Sequence, residues 1–369
     1  MPDARAAVVH PGSGTFTWED VQLEDPRPDE LLVRVVGTGI CHTDLATRDE
    51  HLHTPMPAVL GHEGAGVVEV VGDGVVDVAP GDKVLLSFSS CGHCSACLHG
   101  HPAYCVNFIP MNFDGARPDG TTPIRSASGE PLGGRFFGQS SFATRCIAHV
   151  RSVVPVEALD EDELALLAPI GCGVQTGAGA VLNELAPGTG DTIAIFGAGA
   201  VGLSGVMAAA LTPAEHIIAI DIVPSRLDLA RELGATHVIN GKEEDTAERL
   251  ADITKGRGLT HALESSGVPA LLRQATDALA VGGSVAVVGA PPVGTDGTYD
   301  VNFLLNGRSI KGVTEGDSDL VDFVPELVRL YRAGRLPFDR MVRTYTPNRI
   351  EEAAADAAEG RVLKPLLRF

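Results

Sequence analysis

The stretch that decides the fold opens with Asp191-Thr-Ile-Ala-Ile-Phe-Gly-Ala-Gly-Ala-Val-Gly202 and, after an alanine-rich segment, closes with His216-Ile-Ile-Ala-Ile-Asp221. A short apolar run leads into three glycines, a segment of helical period follows, and a second apolar run ends on an acid. This order is typical of a dinucleotide-binding βαβ unit rather than of a merely glycine-rich turn. Gly197 permits the tight turn, Gly199 lets the backbone approach a pyrophosphate, and Gly202 lets the helix lie against the strand.

The acid at the end of this stretch bears on the choice of nucleotide. Asp221 can accept hydrogen bonds from both ribose hydroxyls, and its charge repels a 2′-phosphate, so the sequence favours NAD over NADP. Arg226 lies close by in the sequence and on its own would attract a phosphate. We expect the carboxylate to decide the balance between the two.

Length, composition and charge limit the class of protein. A chain of 369 residues predicts roughly two domains. The apolar fraction of 44% without an apolar run of about 18 residues predicts a soluble globular chain. The N-terminus lacks the basic start and apolar centre of a signal peptide, so we expect a cytoplasmic protein whose seven cysteines are not used in disulfides. A net charge of −20 argues against nucleic acid and membrane surfaces as partners.

The first part of the chain, from Arg5 to about Val150, has short apolar or β-branched runs separated by Gly and Pro. This pattern predicts a compact, mainly antiparallel β domain. Its clearest strand candidates are Glu30–Val36, Gly66–Val71, Asp82–Ser87 and Phe142–Val150. We expect Asn112–Gly134, which is rich in Gly, Pro and Arg, to form a long surface loop.

The period changes at about Thr192, where strand candidates begin to alternate mostly with helical segments, as a doubly wound parallel sheet requires. The candidates are Ile193–Phe196, Ile217–Ile220, Thr236–Ile239, Ala262–Glu264, Ser284–Val288 and Ser309–Val313. After about Gly312 come an amphipathic helix over Leu320–Tyr331 and a strand over Arg361–Arg368. We interpret this tail as returning to the first domain, which makes the nucleotide domain an insertion.

A dense cysteine cluster indicates a structural metal site. Four thiols within fifteen residues can close a tetrahedron around one zinc ion and leave no position open for chemistry. The thiols are those of Cys91, Cys94, Cys97 and Cys105. An iron–sulfur cluster can use similar spacing, but no second cluster or electron-transfer context accompanies it. His93 and His99 are interpreted as loop residues, since the thiols already saturate the metal.

A second, dispersed set is incomplete as a structural site. Cys41, His62 and Cys172 offer two thiolates and one imidazole, which leaves a fourth zinc position for water or substrate. Taken singly, Cys172 would be a buried free cysteine and His62 an ordinary loop histidine. The spacing alone is therefore weak evidence for a catalytic metal.

The order of these motifs from Cys41 to Asp221 resembles the zinc-dependent, medium-chain alcohol dehydrogenases over nearly the whole chain. Cys41-His-Thr-Asp44, Phe136-Phe-Gly-Gln-Ser-Ser-Phe-Ala143, Gly171-Cys-Gly-Val-Gln-Thr-Gly-Ala-Gly179 and Gly312-Val-Thr-Glu-Gly316 look like the benzyl (aryl) alcohol dehydrogenase branch. The resemblance implies a GroES-like catalytic domain of residues 1–173 plus 313–369. A six-stranded Rossmann domain of residues 174–312, which binds NAD, would be inserted in it.

The resemblance assigns roles to particular residues. Cys41, His62 and Cys172 would hold the catalytic zinc, beside which an alcohol gives a hydride to the nicotinamide. Asp44 would orient His62, and Glu63 would sit behind the metal as a possible transient ligand. The remaining assigned residues are Thr43, which would accept the alcohol proton and pass it toward the cofactor ribose, and the cofactor contacts Val201, Arg226 and Ala290.

Two positions depart from the family pattern. Ala46 stands where many relatives have a histidine that completes the proton relay, and His51 and His53 are interpreted as ordinary loop residues. His42 stands where relatives often have an arginine for the pyrophosphate. We therefore expect His42 to be only partly charged, and Lys364 to be the fixed cation for the pyrophosphate.

The substrate class is the least determined feature. Leu52, Phe88 and Phe137 match pocket positions of relatives, although plain core packing explains each one equally well.

The predicted activity is the reversible, NAD-dependent oxidation of a primary aromatic or allylic alcohol to its aldehyde by a homodimer or homotetramer. The alternatives are an NAD(P)H-dependent reductase of a biosynthetic aldehyde and a broad-range alcohol dehydrogenase. The nucleotide motif argues against a metal-stabilised binding protein. The second metal set argues against a zinc-free reductase of the same fold.

Overall fold

The computed structural model describes residues 3–369 and separates into two compact units. The first unit contains the chain as far as Cys172, together with Asp319–Val328 and Asp339–Phe369. The second unit contains Gly173–Ser318 and Arg329–Phe338. The chain leaves the first unit one residue before the boundary expected from the sequence and returns six residues after the expected position. It enters the second unit again for Arg329–Phe338, a segment that begins within the helix Leu320–Arg332.

The strands are β1 (Asp3–Val9), β2 (Phe16–Leu23), β3 (Glu30–Gly39), β4 (Ala58–Val59), β5 (Glu63–Val71), β6 (Lys83–Leu86), β7 (Ile124–Ser126), β8 (Pro131–Leu132), β9 (Arg145–His149), β10 (Val153–Pro155), β11 (Thr192–Phe196), β12 (His216–Asp221), β13 (His237–Asn240), β14 (Leu259–Glu264), β15 (Leu279–Val287), β16 (Ser309–Gly312), β17 (Val342–Tyr345) and β18 (Lys364–Arg368). The α-helices are α1 (His42–Arg48), α2 (Ser95–Leu98), α3 (Phe108–Phe113), α4 (Glu161–Leu167), α5 (Gly173–Gly179), α6 (Ala200–Ala209), α7 (Pro224–Glu232), α8 (Thr246–Thr254), α9 (Pro269–Asp277), α10 (Val301–Leu304), α11 (Leu320–Arg332) and α12 (Ile350–Ala358).

The first unit is built on two sheets. One has the strand order β4-β1-β2-β7-β8, and the other has the order β10-β6-β5-β3-β18-β17 with β9 also paired to β3. The pairs are antiparallel except for β17 and β18. β3 is buried along almost its whole length, because it lies between β5 on one side and β9 and β18 on the other. Its Leu31, Val33 and Val35 are part of the hydrophobic core. The predicted mainly antiparallel domain is confirmed.

One prediction for this unit is wrong. Asn112–Gly134 is not simply a surface loop, because β7 and β8 pair within it and extend the first sheet. Asn112 and Arg117 are both buried. Arg117 is buried because Glu30, at the start of β3, provides a buried carboxylate to which it donates two hydrogen bonds. The polar composition of this segment led to the prediction of a surface loop, although its Arg117 forms a buried ion pair with Glu30.

The second unit is a six-stranded parallel sheet of order β13-β12-β11-β14-β15-β16, which confirms the predicted doubly wound sheet. β11 is fully buried, and its Ala194 and Phe196 lie in a core with Ile218 and Ile239. In chain order this arrangement is 3-2-1-4-5-6, so the direction of winding reverses between β11 and β14. Ligands of such sheets bind beyond the carboxyl ends of the strands at that reversal, which is where β11 leads into its glycines.

Within residues 3–369, no single helix is long and apolar enough to cross a membrane. The consecutive helical segments Glu161–Gly171 and Gly173–Leu185 meet that criterion only when they are counted together as a bent pair.

Candidate active site and metal centres

The dispersed set of predicted ligands comes together in the first unit. Cys41 immediately precedes α1, His62 immediately precedes β5, and Cys172 follows a 3₁₀ turn over Ala168–Gly171. One sulfur, nitrogen or carboxylate oxygen from each of Cys41, His62, Glu63 and Cys172 lies within 4.8 Å of the others. Three chain segments that are far apart in sequence therefore meet at one point, as the catalytic prediction requires.

The backbone beneath Cys172 depends on a glycine. A Cβ atom on Gly171 would come within 2.2 Å of the Leu86 carbonyl oxygen, so the segment that carries Cys172 can lie against β6 only without a side chain there. Ser87 Oγ also donates a hydrogen bond to the Gly171 carbonyl at 2.6 Å. These two contacts hold Cys172 close to the start of β5.

Asp44 connects two of the predicted ligand segments. Its Oδ1 accepts hydrogen bonds from His62 Nδ1 at 2.8 Å and from the Gly61 backbone at 3.1 Å. Its Oδ2 accepts from the Cys41 backbone at 2.9 Å. Because an ionised carboxylate only accepts, the proton of a neutral His62 lies on Nδ1, and the Nε2 lone pair is available.

The donor set fits a zinc ion. His62 Nε2 is buried and has no hydrogen-bond partner that satisfies ordinary geometry among residues 3–369. A buried polar atom of this kind normally has a partner, and a metal would provide one. Two thiolates and one imidazole are ligands that zinc prefers, and three protein ligands leave a position for another molecule.

The charges around this set also favour metal binding. A hydrogen bond from Cys172 holds the pKa of Cys41 well below its ordinary value against the effect of burial, and the Lys364 charge acts in the same direction. Burial alone would lower the pKa of His62, but the Asp44 carboxylate and the Cys41 sulfur raise it well above the ordinary value. The pocket thus stabilises a thiolate and a positive charge next to each other, and a zinc ion would take the place of the proton.

Lys364, the predicted cation for the pyrophosphate, lies beside the dispersed set of ligands. It opens β18, is only 2% exposed, and donates from Nζ to Glu63 Oε1 at 2.7 Å. Burial lowers the pKa of Lys364, but the charges of Glu63 and Cys41 outweigh burial and raise it. The charge of Lys364 is thus paired with that of Glu63 within the first unit, and its role toward the pyrophosphate stays a prediction.

Gln139 is a supporting residue that the sequence analysis did not identify. It is fully buried, and its Nε2 donates to the carbonyls of His62 and Ser87, each at 2.9 Å. Its Oε1 accepts from the Gly64 backbone at 3.0 Å. Gln139 therefore holds both sides of the His62–Glu63 backbone. A polar amide within the aromatic segment Phe136–Phe142 was the signal that could have revealed it.

Aromatic rings surround the imidazole of His62. The Phe137 ring centroid lies 4.5 Å from that of His62 at an interplanar angle of 30°, and the Phe136 ring meets His62 edge-on at 5.6 Å. Phe88 is also buried, whereas Leu52 lies half-buried in the segment after α1. The ring of Phe137, one of the three predicted pocket residues, thus contacts a predicted ligand.

The four-cysteine loop also forms a compact set, since its four sulfur atoms lie within 4.8 Å of one another. Cys97 Sγ lies 3.5 Å from Cys94 Sγ and 3.9 Å from Cys91 Sγ. Zinc–sulfur bonds of about 2.3 Å in a tetrahedron place sulfurs about 3.8 Å apart, so the geometry fits. Hydrogen bonds from the backbones of Cys97 and Val106 lower the pKa of Cys94 to about 6, whereas burial raises the pKa of Cys105 to about 12.

The nucleotide turn has the geometry that its glycines predict. Gly197 has φ +96, and a Cβ on Gly202 would come within 1.8 Å of the Gly197 carbonyl oxygen. A Cβ on Gly199, by contrast, would meet nothing within 4 Å. The protein itself does not require a glycine at position 199, so the open space in front of it fits a ligand that approaches the backbone.

Asp221 ends β12 beside this turn. Its Oδ2 accepts from the Ala198 backbone at 2.7 Å, and its Oδ1 accepts from the backbones of Ile222 and Val223 at 2.7 and 2.9 Å. Arg226 Nη1 lies 3.8 Å from Asp221 Oδ2. The carboxylate therefore lies next to the glycine turn, and the neighbouring arginine is held against it.

The remaining predicted residues lie as follows. Val201 is the second residue of α6, and Ala290 is exposed three residues after β15. His42 is exposed at the first position of α1, and Thr43 Oγ1 lies 3.9 Å from Cys41 Sγ. Their roles toward a cofactor or substrate remain predictions.

Comparison with known proteins identifies the family. The family model for the alcohol dehydrogenase GroES-like domain matches residues 27–158, and that for zinc-binding dehydrogenase matches residues 200–330. The geraniol dehydrogenase of Castellaniella defragrans is 40% identical over 99% of this chain and 98% of its own length. The chain belongs to the zinc-dependent, medium-chain alcohol dehydrogenase family.

Two solved structures resemble the whole chain. The alcohol dehydrogenase zinc-binding domain protein from Burkholderia ambifaria is 52% identical, with a TM-score of 0.97 over 100% of this chain and 99% of its own. The benzyl alcohol dehydrogenase from Acinetobacter calcoaceticus is 45% identical, with a TM-score of 0.95 over 100% of both chains. The protein is thus an alcohol dehydrogenase, an oxidoreductase that acts on small alcohols or aldehydes.

Proposed function

We propose that this enzyme oxidises a primary aromatic or allylic alcohol to the aldehyde, reversibly, by transfer of a hydride to NAD. The observation that carries the proposal is the Phe137 ring, which lies against the His62 imidazole in a buried aromatic environment. Flat unsaturated substrates gain both apolar burial and ring contacts there. The names of the relatives agree in chemistry, since geraniol is an allylic alcohol and benzyl alcohol an aromatic one.

The proposed reaction assigns a separate role to each residue of the site. Zinc, when bound by Cys41, His62 and Cys172, supplies Lewis acidity, and NAD supplies the hydride acceptor. Asp44 keeps the His62 proton on Nδ1. The Thr43 hydroxyl takes up the alcohol proton and releases its own proton toward the cofactor ribose, so that the alcohol oxygen can form the carbonyl as the C–H bond gives up the hydride. The buried aromatic rings exclude water.

The other parts of the proposal concern zinc stoichiometry and assembly. We expect about two zinc ions per chain, one at the dispersed set and one at Cys91, Cys94, Cys97 and Cys105. A homodimer or homotetramer is expected, because β16 ends the parallel sheet of the second unit with an unpaired edge among the described residues. Sedimentation of the purified enzyme measures the assembly.

The test is a panel of benzyl alcohol, cinnamyl alcohol, geraniol and 1-hexanol, each with NAD and with NADP. We expect the three unsaturated alcohols with NAD to give the highest kcat/KM values. Equal values for all four alcohols would favour a broad-range dehydrogenase. The reverse reaction is measured with the corresponding aldehydes and NADH or NADPH, and a clear preference for NADPH and aldehyde would favour the reductase.

Metal analysis of two cysteine variants tests the two sites separately. Cys172→Ala should fold, retain about one zinc per chain and lose dehydrogenase activity, because the closed four-thiol site is intact. Cys97→Ala should lose thermal stability or solubility, because a closed zinc site contributes directly to folding. Normal turnover by Cys172→Ala would contradict the catalytic assignment.

A further inference from the structure

Five phenylalanines form one connected cluster of rings beside His62, although the chain has only 12 phenylalanines. The Phe113 centroid lies 5.1 Å from that of Phe137 and 5.7 Å from that of Phe136. The Phe108 centroid lies 5.8 Å from Phe88 and 6.3 Å from Phe137. Phe88, Phe136 and Phe137 are buried, whereas Phe108 and Phe113, both carried by α3, are half-buried. The two rings of α3 therefore form the part of the cluster that other molecules can reach.

The short helix α3 is held from both ends by the four-cysteine loop. Asn112 is fully buried, and its Oδ1 accepts from the Ser89 backbone at 2.8 Å. Its Nδ2 donates to the carbonyls of Ser89 at 2.9 Å and of Phe108 at 2.7 Å. Ser89 lies two residues before Cys91, and the Asn107 backbone, just before α3, donates to Cys105 Sγ at 3.4 Å. The position of α3 is thus set by the loop that closes around the four thiols.

The inner ring of the cluster is held in an unfavourable backbone conformation. Phe137 has φ 52 and Ser140 has φ 54, both in the left-handed region that non-glycine residues avoid. The turn persists because Ser140 Oγ donates to the Val59 carbonyl at 2.7 Å and accepts from the Phe136 backbone at 2.9 Å. Strained residues of this kind cluster at functional sites, and here the strained residue carries the ring that lies against His62.

We propose that Phe108 and Phe113 determine substrate specificity. They form the outer part of an aromatic wall, defined as Phe88, Phe108, Phe113, Phe136 and Phe137, against which the unsaturated body of the substrate packs. Asn112 is a positioning residue, because it fixes α3 to the four-cysteine loop. The proposal rests on the proposed function, since a wall of rings favours a flat π-system over a saturated chain of similar area. The loop would then serve selectivity as well as folding.

The experiment compares benzyl alcohol with 1-hexanol in Phe113→Leu, Phe108→Leu and Asn112→Asp. A ring contact favours the aromatic alcohol by about two- to tenfold, so the ratio of the two kcat/KM values should fall by that factor, mostly through the KM for benzyl alcohol. Asn112→Asp keeps an acceptor for Ser89 but loses both donated hydrogen bonds, so the ratio should fall in the same direction. Phe303→Leu, which removes a half-buried ring from the second unit, should leave the ratio unchanged.

Calorimetry without NAD provides a readout that does not depend on turnover. Binding of benzyl alcohol to the zinc-loaded enzyme should weaken in the α3 variants by the same factor, whereas binding of 1-hexanol and the zinc content should not change. Equal losses for both alcohols, or an unchanged ratio in every α3 variant, would overturn the proposal. If Phe113→Leu does not fold, Phe108→Leu makes the same comparison from the other ring. A wild-type enzyme that does not prefer benzyl alcohol would instead contradict the proposed substrate class.

Discussion

Asp44 serves two parts of the predicted metal site at the same time. It accepts from His62 Nδ1 and also from the backbones of Cys41 and Gly61. Asp44→Asn places an amide N–H against one of these donors and weakens the orientation of His62. We expect kcat/KM or zinc affinity to fall by about 10- to 100-fold, as with other residues that orient a metal ligand. Steady-state kinetics together with zinc analysis measures both effects.

The control for Asp44 lies at the other end of the same helix. Asp49 is exposed, and its side chain forms an ion pair with the adjacent Arg48. Asp49→Asn should leave both kcat/KM and zinc content unchanged. If Asp44→Asn behaves like Asp49→Asn, the orientation of His62 does not depend on the carboxylate.

Asp221 should determine the preference for NAD over NADP. In the structure it also has a structural role. Its carboxylate accepts backbone hydrogen bonds from Ala198, Ile222 and Val223, so it stabilises the glycine turn itself. Asp221→Ser should narrow the preference for NAD over NADP by about 10-fold or more, since a charged hydrogen bond is worth about 1.5–3 kcal/mol. The measurement is the ratio of kcat/KM for the two cofactors. An unchanged ratio would contradict the assignment.

At the scale of single elements, two glycines at the start of α6 have different roles. The fold requires Gly202, whereas Gly199 is expected to be required for ligand binding. Gly202→Ala forces a Cβ to within 1.8 Å of the Gly197 carbonyl, so we expect a lower thermal midpoint. Gly199 has φ −75, and an added Cβ would meet nothing within 4 Å. Gly199→Ala should therefore keep the wild-type midpoint and weaken NAD binding by about tenfold, which corresponds to ~1.4 kcal/mol.

Calorimetric titration with NAD and thermal unfolding of both glycine variants make the comparison. Each variant serves as the control for the other, because the substitution is the same and the sites are three residues apart. Wild-type NAD affinity in Gly199→Ala would show that the pyrophosphate does not approach this backbone.

At the scale of the whole molecule, a buried ion cluster joins parts of the first unit that are far apart in sequence. Glu30 Oε1 accepts from both Arg117 and Arg135, and all three residues are buried. Burial raises the pKa of Glu30, but hydrogen bonds from Arg117 and the Arg27 backbone, with the charges of Arg117 and Arg135, lower it overall. Since the folded pKa lies below the unfolded value of about 4.3, the contribution to stability is fully present above that pH.

The contribution of Glu30 is lost as the pH falls through its folded pKa. Glu30→Gln leaves two buried arginines without their shared carboxylate, so the free energy of unfolding at pH 7 should fall by about 3–5 kcal/mol. The difference from wild type should hold from pH 7 down to about pH 4.3 and should shrink as the pH falls further. Urea unfolding across this range measures it, with Glu130→Gln as the exposed control. A difference that is constant with pH would show that Glu30 is not ionised in the folded state.

The sequence by itself determined those features that depend on local order. Strand, glycine turn, helix and acid follow one another from Asp191 to Asp221, and the four thiols from Cys91 to Cys105 lie close in the chain. Local spacing sets their geometry, because a turn or a short loop brings neighbouring residues together whatever the rest of the chain does. The two sheet types follow for the same reason, since a period of two or of 3.6 is a property of the segment itself.

The tertiary structure alone decided how side chains from distant segments are paired. Lys364 and Glu63 are some three hundred residues apart, and nothing in either segment shows that the lysine is buried against the carboxylate. The same holds for Gln139 under His62, for Arg117 with Glu30, and for the rings of α3 against Phe137. A buried polar group is stable only where the fold supplies its partner, and that partner is chosen by packing rather than by neighbours in the chain.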